Sequence, residues 1–181
     1  MKTNIVILSL ILLLTASLTY FWDNHEIKNT TYKDAPINNF TKLNGETITL
    51  DSIKQKPIIV HFWATWCAPC LKEIPDLAKM ALKNIDSVTV LSVAVQDKPE
   101  NIEKFIKSNN LSLPDNFLIT LDDDWTIAKE SYKTTRLPES HLISSDLKII
   151  DRHNGALENW QKSPWVKKFK ALSVHNIVDN K

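Results

Sequence analysis

The chain has 181 residues, with 22 Lys and Arg against 21 Asp and Glu, so no basic excess points to nucleic acid and no acidic tail to a disordered arm. Only two glycines, Gly45 and Gly155, leave no glycine-rich phosphate loop. The length suits one domain with a sizeable core, six Trp and six Phe suit tight packing, and two cysteines three positions apart close too short a loop to staple a fold.

Ile5 to Trp22 is an apolar run of 18 residues without a charge, and about 17–25 are needed to span a bilayer as a helix. Lys2 lies on one flank, Asp23 and Glu26 on the other, which predicts a cytoplasmic N-terminus with the remainder exported. Tyr20-Phe21-Trp22 suits the far interface as an aromatic belt. Residues 1–22 therefore read as a single-pass signal-anchor, with a cleaved signal peptide as the alternative. There is no clean Ala-x-Ala cleavage site, and no cysteine ends the run as in a lipoprotein signal. Residues 23–36 are polar and aperiodic, and read as a linker. A folded domain is expected over 37–173 and a frayed tail over 174–181.

Within the domain, Phe40 to Leu50 reads as a hairpin, with Asn44-Gly45 as a two-residue turn of positive φ. Asp51 to Gln55 suits one helical turn. Pro57 to Ala64 is apolar on both faces, as in a central strand covered by helices. After it, Leu71, Ile74, Leu77, Ala78, Ala81 and Leu82 repeat at helical spacing, and Pro75 falls inside that helix and should kink it. Val88 to Val95 is a second buried strand. Asp97 is placed to cap the following helix, with Pro99 in its first turn. Phe117 to Leu121 is a third strand. Asp122, Asp123 and Asp124 precede a short helix, Trp125 to Tyr132, where acidic residues favour the helix start more than a metal site. Ser140 to Ser144 and Leu147 to Arg152 read as a second hairpin. Ser163-Pro164 opens a final helix to about Leu172. Helices between buried strands imply an α/β sheet with helices on both faces.

Both cysteines lie in Trp66-Cys67-Ala68-Pro69-Cys70, after a strand and before a helix, the arrangement of a redox-active dithiol. A thiolate at a helix start is favoured by free N–H groups and the helix dipole, so Cys67 is the expected nucleophile, below the free thiol pKa of about 8.5. Cys70, one turn further in, is placed to resolve a mixed disulfide. The competing reading, half of a zinc site, lacks a second pair of ligands, because the five histidines are scattered.

Val60 to Cys70, with Glu73, Pro75 and Leu77, resembles the thioredoxin superfamily. More narrowly, it resembles the exported TlpA-like thiol–disulfide oxidoreductases, which include the ResA and CcmG/DsbE proteins of cytochrome c maturation. The resemblance implies a thioredoxin fold, a central mixed sheet flanked by helices. The hairpin at Asn44-Gly45 matches the family's extra N-terminal hairpin, and 101–110 its central βα insertion. Arg136 to Ser140 matches the cis-proline loop. Cys67 and Cys70 would form the redox-active disulfide, and Pro138 would be the cis-proline facing them. Leu137 would pair its backbone with an extended substrate segment, and Trp66 would cover the dithiol or serve as a half-exposed core aromatic. Glu73 would handle the proton of the buried thiol unless it is a solvated helix residue. Glu139 would influence partner choice or thiol pKa unless it is an ordinary loop charge. One position departs from the pattern: cytosolic thioredoxins carry a buried Asp six residues before the first cysteine, and here it is His61, which reads as a neutral core histidine with a general base as the alternative. His141 is ambiguous.

Together with the apolar N-terminal run, the resemblance implies a bacterial inner-membrane protein whose catalytic domain faces the periplasm or another extracytoplasmic space, with no cofactor or metal. It would reduce disulfides in extracytoplasmic proteins such as apocytochrome c. A transmembrane donor of the DsbD or CcdA type would recharge it. The alternatives are a disulfide-donating oxidase and a Sco-like copper chaperone, although those chaperones space their cysteines one residue further apart.

Overall fold

The computed structural model describes residues 14, 15, 17, 32–36 and 39–179, with side chains to residue 173. The chain divides into two compact units, Met1–Tyr32 and Lys33–Lys181. In the first, the described residues Leu14, Thr15 and Ser17 are helical. The expected anchor, 1–22, otherwise lies outside the described residues; among those described, no helix is long and apolar enough to cross a membrane.

The second unit is an eight-stranded mixed sheet with helices on both faces. Its elements are β1 (Lys33–Asp34), β2 (Asn39–Lys42), β3 (Thr47–Thr49), α1 (Leu50–Ile53), β4 (Ile58–Trp63), α2 (Ala68–Lys83), β5 (Thr89–Val95), α3 (Pro99–Ser108), β6 (Phe117–Asp122), a π-helical turn (Thr126–Ser131), β7 (Glu139–Ile143), β8 (Lys148–Asn154), a 3-10 turn (Trp160–Lys162) and α4 (Pro164–Asp179). The strand order is β1-β8-β7-β4-β5-β6-β2-β3. The three central strands β4, β5 and β6 run parallel, joined by α2 and α3, and the remaining neighbours pair antiparallel. This is the thioredoxin-like α/β fold.

The pleat of β4 sorts the core. Ile59 and Trp63 pack with Ile74 and Leu77 of α2, Ile102 of α3, and Trp165 and Phe169 of α4. Ile58, Val60 and Phe62 face the other way, onto Leu50, Ala128 and Tyr132. Every residue of β4 is buried, which is why its sequence is apolar without alternation.

Several local expectations change. The first hairpin has no two-residue turn: Gly45 N–H donates to Lys42 O at 3.0 Å and Lys42 N–H to Glu46 O at 2.7 Å, so a turn through Leu43-Asn44 is followed by a one-residue bulge. Only Gly45, at φ +85°, takes the left-handed conformation there. Residues 33–35, in the expected linker, are part of the domain, because β1 pairs with β8 and Ala35 is buried. Along α2 the apolar stripe includes buried Met80, while Leu82 is exposed. The last helix continues past Leu172 to Asp179. Asp122 and Asp124 serve the start of the π-helical turn, accepting from Ala128 N–H at 2.7 Å and Thr126 N–H at 2.9 Å.

Because Phe169 of α4 is fully buried against the same layer as Ile74 and Trp165, Phe169→Ala should cost about 3–5 kcal/mol of unfolding free energy in a urea titration.

Candidate active site

Cys67 is the N-cap residue of α2, with extended backbone, and its sulfur makes no capping hydrogen bond. Pro69 occupies the first turn, where a missing N–H costs nothing. The helix runs on through Pro75. Cys67 and Cys70 are joined as a disulfide, with Cα atoms 5.3 Å apart. Cys67 keeps 7% of its surface exposed and Cys70 none, so the first sulfur is the one a partner can reach.

Glu73 lies one turn beyond Cys70 on the same helix face. A helical Glu is ordinarily solvated, but this one is 3% exposed. Its Oε1 accepts from the Trp160 indole N–H at 2.7 Å and from Leu157 N–H at 3.1 Å, and its Oε2 has no partner. Burial pushes its pKa up to about 7; the two hydrogen bonds oppose the rise, and the Asp76 carboxylate adds to it. Asp76 in turn accepts from Trp160 N–H at 2.6 Å, so two carboxyl groups of α2 hold the 3-10 turn.

Strand alternation points His61 to the same layer as Trp63, beneath α2. Its Nδ1 lies 2.8 Å from Ser140 Oγ, its ring meets Trp160 edge-on at 6.1 Å, and Nε2 has no partner. Burial drives its pKa down to about 3, so the ring is neutral at physiological pH.

The Leu137–Pro138 peptide is cis. The register pairs Glu139 with Phe62, which sets Pro138 at the end of β4 from which the cysteine loop departs. Pro138 O accepts from Gly155 N–H at 2.8 Å. Among the described residues, the backbone N–H and C=O of Leu137 have no hydrogen-bond partner. Glu139 is a fully buried strand residue, not a loop charge. Its Oε1 accepts from Arg152 Nε at 2.7 Å and Thr134 Oγ1 at 3.2 Å, and lies 2.8 Å from His141 Nε2. Burial works to raise its pKa, but the hydrogen bonds from His141 and Arg152 outweigh it and hold the carboxyl below the usual range. Arg152 also donates to Lys133 O at 2.9 Å, so the cluster braces the segment leading into Pro138.

Trp66 is 55% exposed; its indole N–H donates to Gln96 O at 3.1 Å and its ring lies 6.3 Å from that of Trp125. Among the described residues, no group of three His, Cys, Asp or Glu side chains is placed to hold a metal ion. Trp160, Leu157 and Asp76 complete the Glu73 site and carry no motif in the sequence. The sole signal was a tryptophan in an otherwise polar stretch.

Known proteins resemble this chain in sequence and in fold. Residues 31–152 match the AhpC/TSA family. The thiol-disulfide oxidoreductase ResA of Bacillus cereus (strain ATCC 10987 / NRS 248) is 30% identical over 175 residues, covering 93% of this chain and 98% of that protein. The thioredoxin domain of a thiol-disulfide oxidoreductase from Bacteroides vulgatus superposes with a TM-score of 0.64 at 25% identity, over 77% of this chain and 97% of that one. StoA from Bacillus subtilis superposes with a TM-score of 0.58 at 26% identity, over 74% and 96%.

A carboxyl whose pKa is about 7 when folded, against 4.5 for an exposed glutamate, binds more protons folded than unfolded between those values, so it takes stability away as pH rises through that window. The unfolding free energy of Glu73→Gln relative to wild type should therefore rise by about 3 kcal/mol between pH 4 and pH 8, measured by denaturant titration.

Proposed function

The chain belongs to the AhpC/TSA family and to its ResA-type thiol–disulfide oxidoreductases, and on that premise we propose that it is an exported, membrane-tethered reductase of protein disulfides. The observation that carries the exchange reading is the pairing of a reachable Cys67 with a buried Cys70 and a buried carboxyl one turn beyond.

In this reading the Cys67 thiolate attacks one sulfur of a substrate disulfide. A Cys67–substrate disulfide forms, and the other substrate sulfur leaves as a thiolate. Cys70 then gives up its proton, attacks the Cys67 sulfur and releases the second substrate thiol. The substrate gains two electrons, and the protein ends with the Cys67–Cys70 disulfide. Glu73, poised at about 7, takes the Cys70 proton without needing water in the core. Neutral His61 sets no competing charge beneath it.

Substrate docking falls to the residues around Cys67. Leu137 offers an unpaired backbone edge, so an extended segment can add to it as a short strand. Pro138 lines the approach. Glu139 acts on partner choice through the loop it braces, and exposed Trp66 supplies an apolar contact. Apocytochrome c, with a reducible cysteine pair, is the substrate class proposed. In an oxidising compartment the protein must be recharged from elsewhere, by a transmembrane thiol donor of the DsbD or CcdA type. The apolar run Ile5 to Trp22 would tether the domain near that donor and raise its effective concentration.

A Cys70→Ala form expressed in a bacterium exporting c-type cytochromes should accumulate mixed disulfides on Cys67, with apocytochrome c among them, while Cys67→Ala should accumulate none. Equal capture by the two variants, or none by either, would contradict the exchange mechanism. A wild-type protein found wholly oxidised in cells with an intact donor would contradict the reductase direction.

A further inference from the structure

Asp97 lies in the turn after β5, where its position suggests a cap for α3. The structure uses it otherwise. The N-cap of α3 is Lys98, without a side-chain cap, and the Asp97 carboxylate turns back toward the loop before Cys67. Its Oδ2 accepts from Thr65 N–H at 2.5 Å. Its Oδ1 accepts from the Thr65 hydroxyl at 2.9 Å, Lys98 N–H at 2.9 Å and Asn101 Nδ2 at 3.2 Å. The group is 7% exposed. The preceding residue joins the grip. Gln96, at φ +46°, presents its carbonyl to the Trp66 indole at 3.1 Å, and its own N–H donates to Asp122 O at 3.0 Å, which ties the turn to β6.

Residues 64–67 link β4 to α2. Inside that link the main chain makes one hydrogen bond, Cys67 N–H to Ala64 O at 3.2 Å. Thr65 and Trp66 are otherwise held from outside, by Asp97 and Gln96. We propose that Asp97 is a positioning residue for the dithiol: together with Gln96 it hangs Thr65 and Trp66 from the end of β5, and so keeps Cys67 within bonding reach of Cys70.

Two physical effects follow, and they act in the same direction. With the loop pinned, little freedom is lost when the sulfurs join, so the effective concentration of one thiol for the other is high. With a negative charge near the loop, a thiolate at Cys67 is less favoured. Both stabilise the disulfide relative to the dithiol, and removing the carboxylate weakens both. The inference rests on the exchange reading above only in giving the dithiol a task. The exchange of the protein disulfide with two glutathiones, to give the dithiol and glutathione disulfide, has an equilibrium constant whatever the substrate or the direction in cells. Failure here leaves the proposed function standing, and failure of the trapping experiment leaves this constant unaffected.

The test is that equilibrium constant for the full chain at pH 7, read by thiol alkylation and mass shift across a glutathione series. Asp97→Ala should favour the dithiol about ten-fold more than wild type, equivalent to about 30 mV. Asp97→Asn, which keeps one oxygen, should shift it the same way by less. Asn101→Ala, which removes only the contact to α3, should stay within two-fold. Where Asp97→Ala does not fold, Thr65→Val, which removes one of the ties, should still favour the dithiol by about two- to four-fold. A folded Asp97→Ala within two-fold of wild type would overturn the proposal. So would an Asn101→Ala shift as large as that of Asp97→Ala, or an unshifted Thr65→Val.

Discussion

A carboxyl group kept from water is the constraint about which this site is built. Glu73 has one oxygen satisfied by Trp160 and Leu157 and the other unpartnered, so its charged form is expensive and its neutral form accessible near neutral pH. The same contacts are structural. They draw the segment after β8 onto α2, where Trp160 and Leu157 join the core layer that holds fully buried Cys70. In the proposed mechanism that same buried carboxyl is the group that would take the Cys70 proton.

The strand leading into the site carries no second buried carboxyl. Position 61, six before the first cysteine, holds a histidine whose burial keeps it neutral and whose one close polar neighbour is Ser140. A neutral ring there brings no negative charge under the dithiol. Two clusters brace the two sides of the site: Gln96 and Asp97 grip the residues before Cys67, and Glu139 with Arg152 and Thr134 braces the approach to Pro138. The residues before Cys67 are thus tied to the turn after β5, and the approach to Pro138 is tied to β8.

How much of this the sequence carries depends on the range of the interaction. The central strand, the cysteine pair at the helix start and the hairpin of β7 and β8 are readable from local pattern, because burial period and turn chemistry act over a few residues, whereas the proline loop is legible only through the family resemblance. The burial of Glu73 is not, since its cover, Trp160, is 87 residues away. Asp97 carries the local mark of a cap, and the partner that overrides it, Thr65, is 32 residues earlier. Glu139 follows a proline and so resembles a loop charge, until Arg152, 13 residues on, makes it an anchored strand residue. The two-residue turn failed for a local reason: one left-handed glycine suits a bulged turn, whereas the two-residue alternative asks for positive φ at both positions.

The account stands most directly on the protonation of Glu73 beside the dithiol. Infrared difference titration of the carboxyl band, with Glu73→Gln to assign it, reads that group in the oxidised protein without relying on turnover. A midpoint near pH 7 is the result the account predicts. A midpoint near 4.5, the value of an ordinary exposed glutamate, would contradict it.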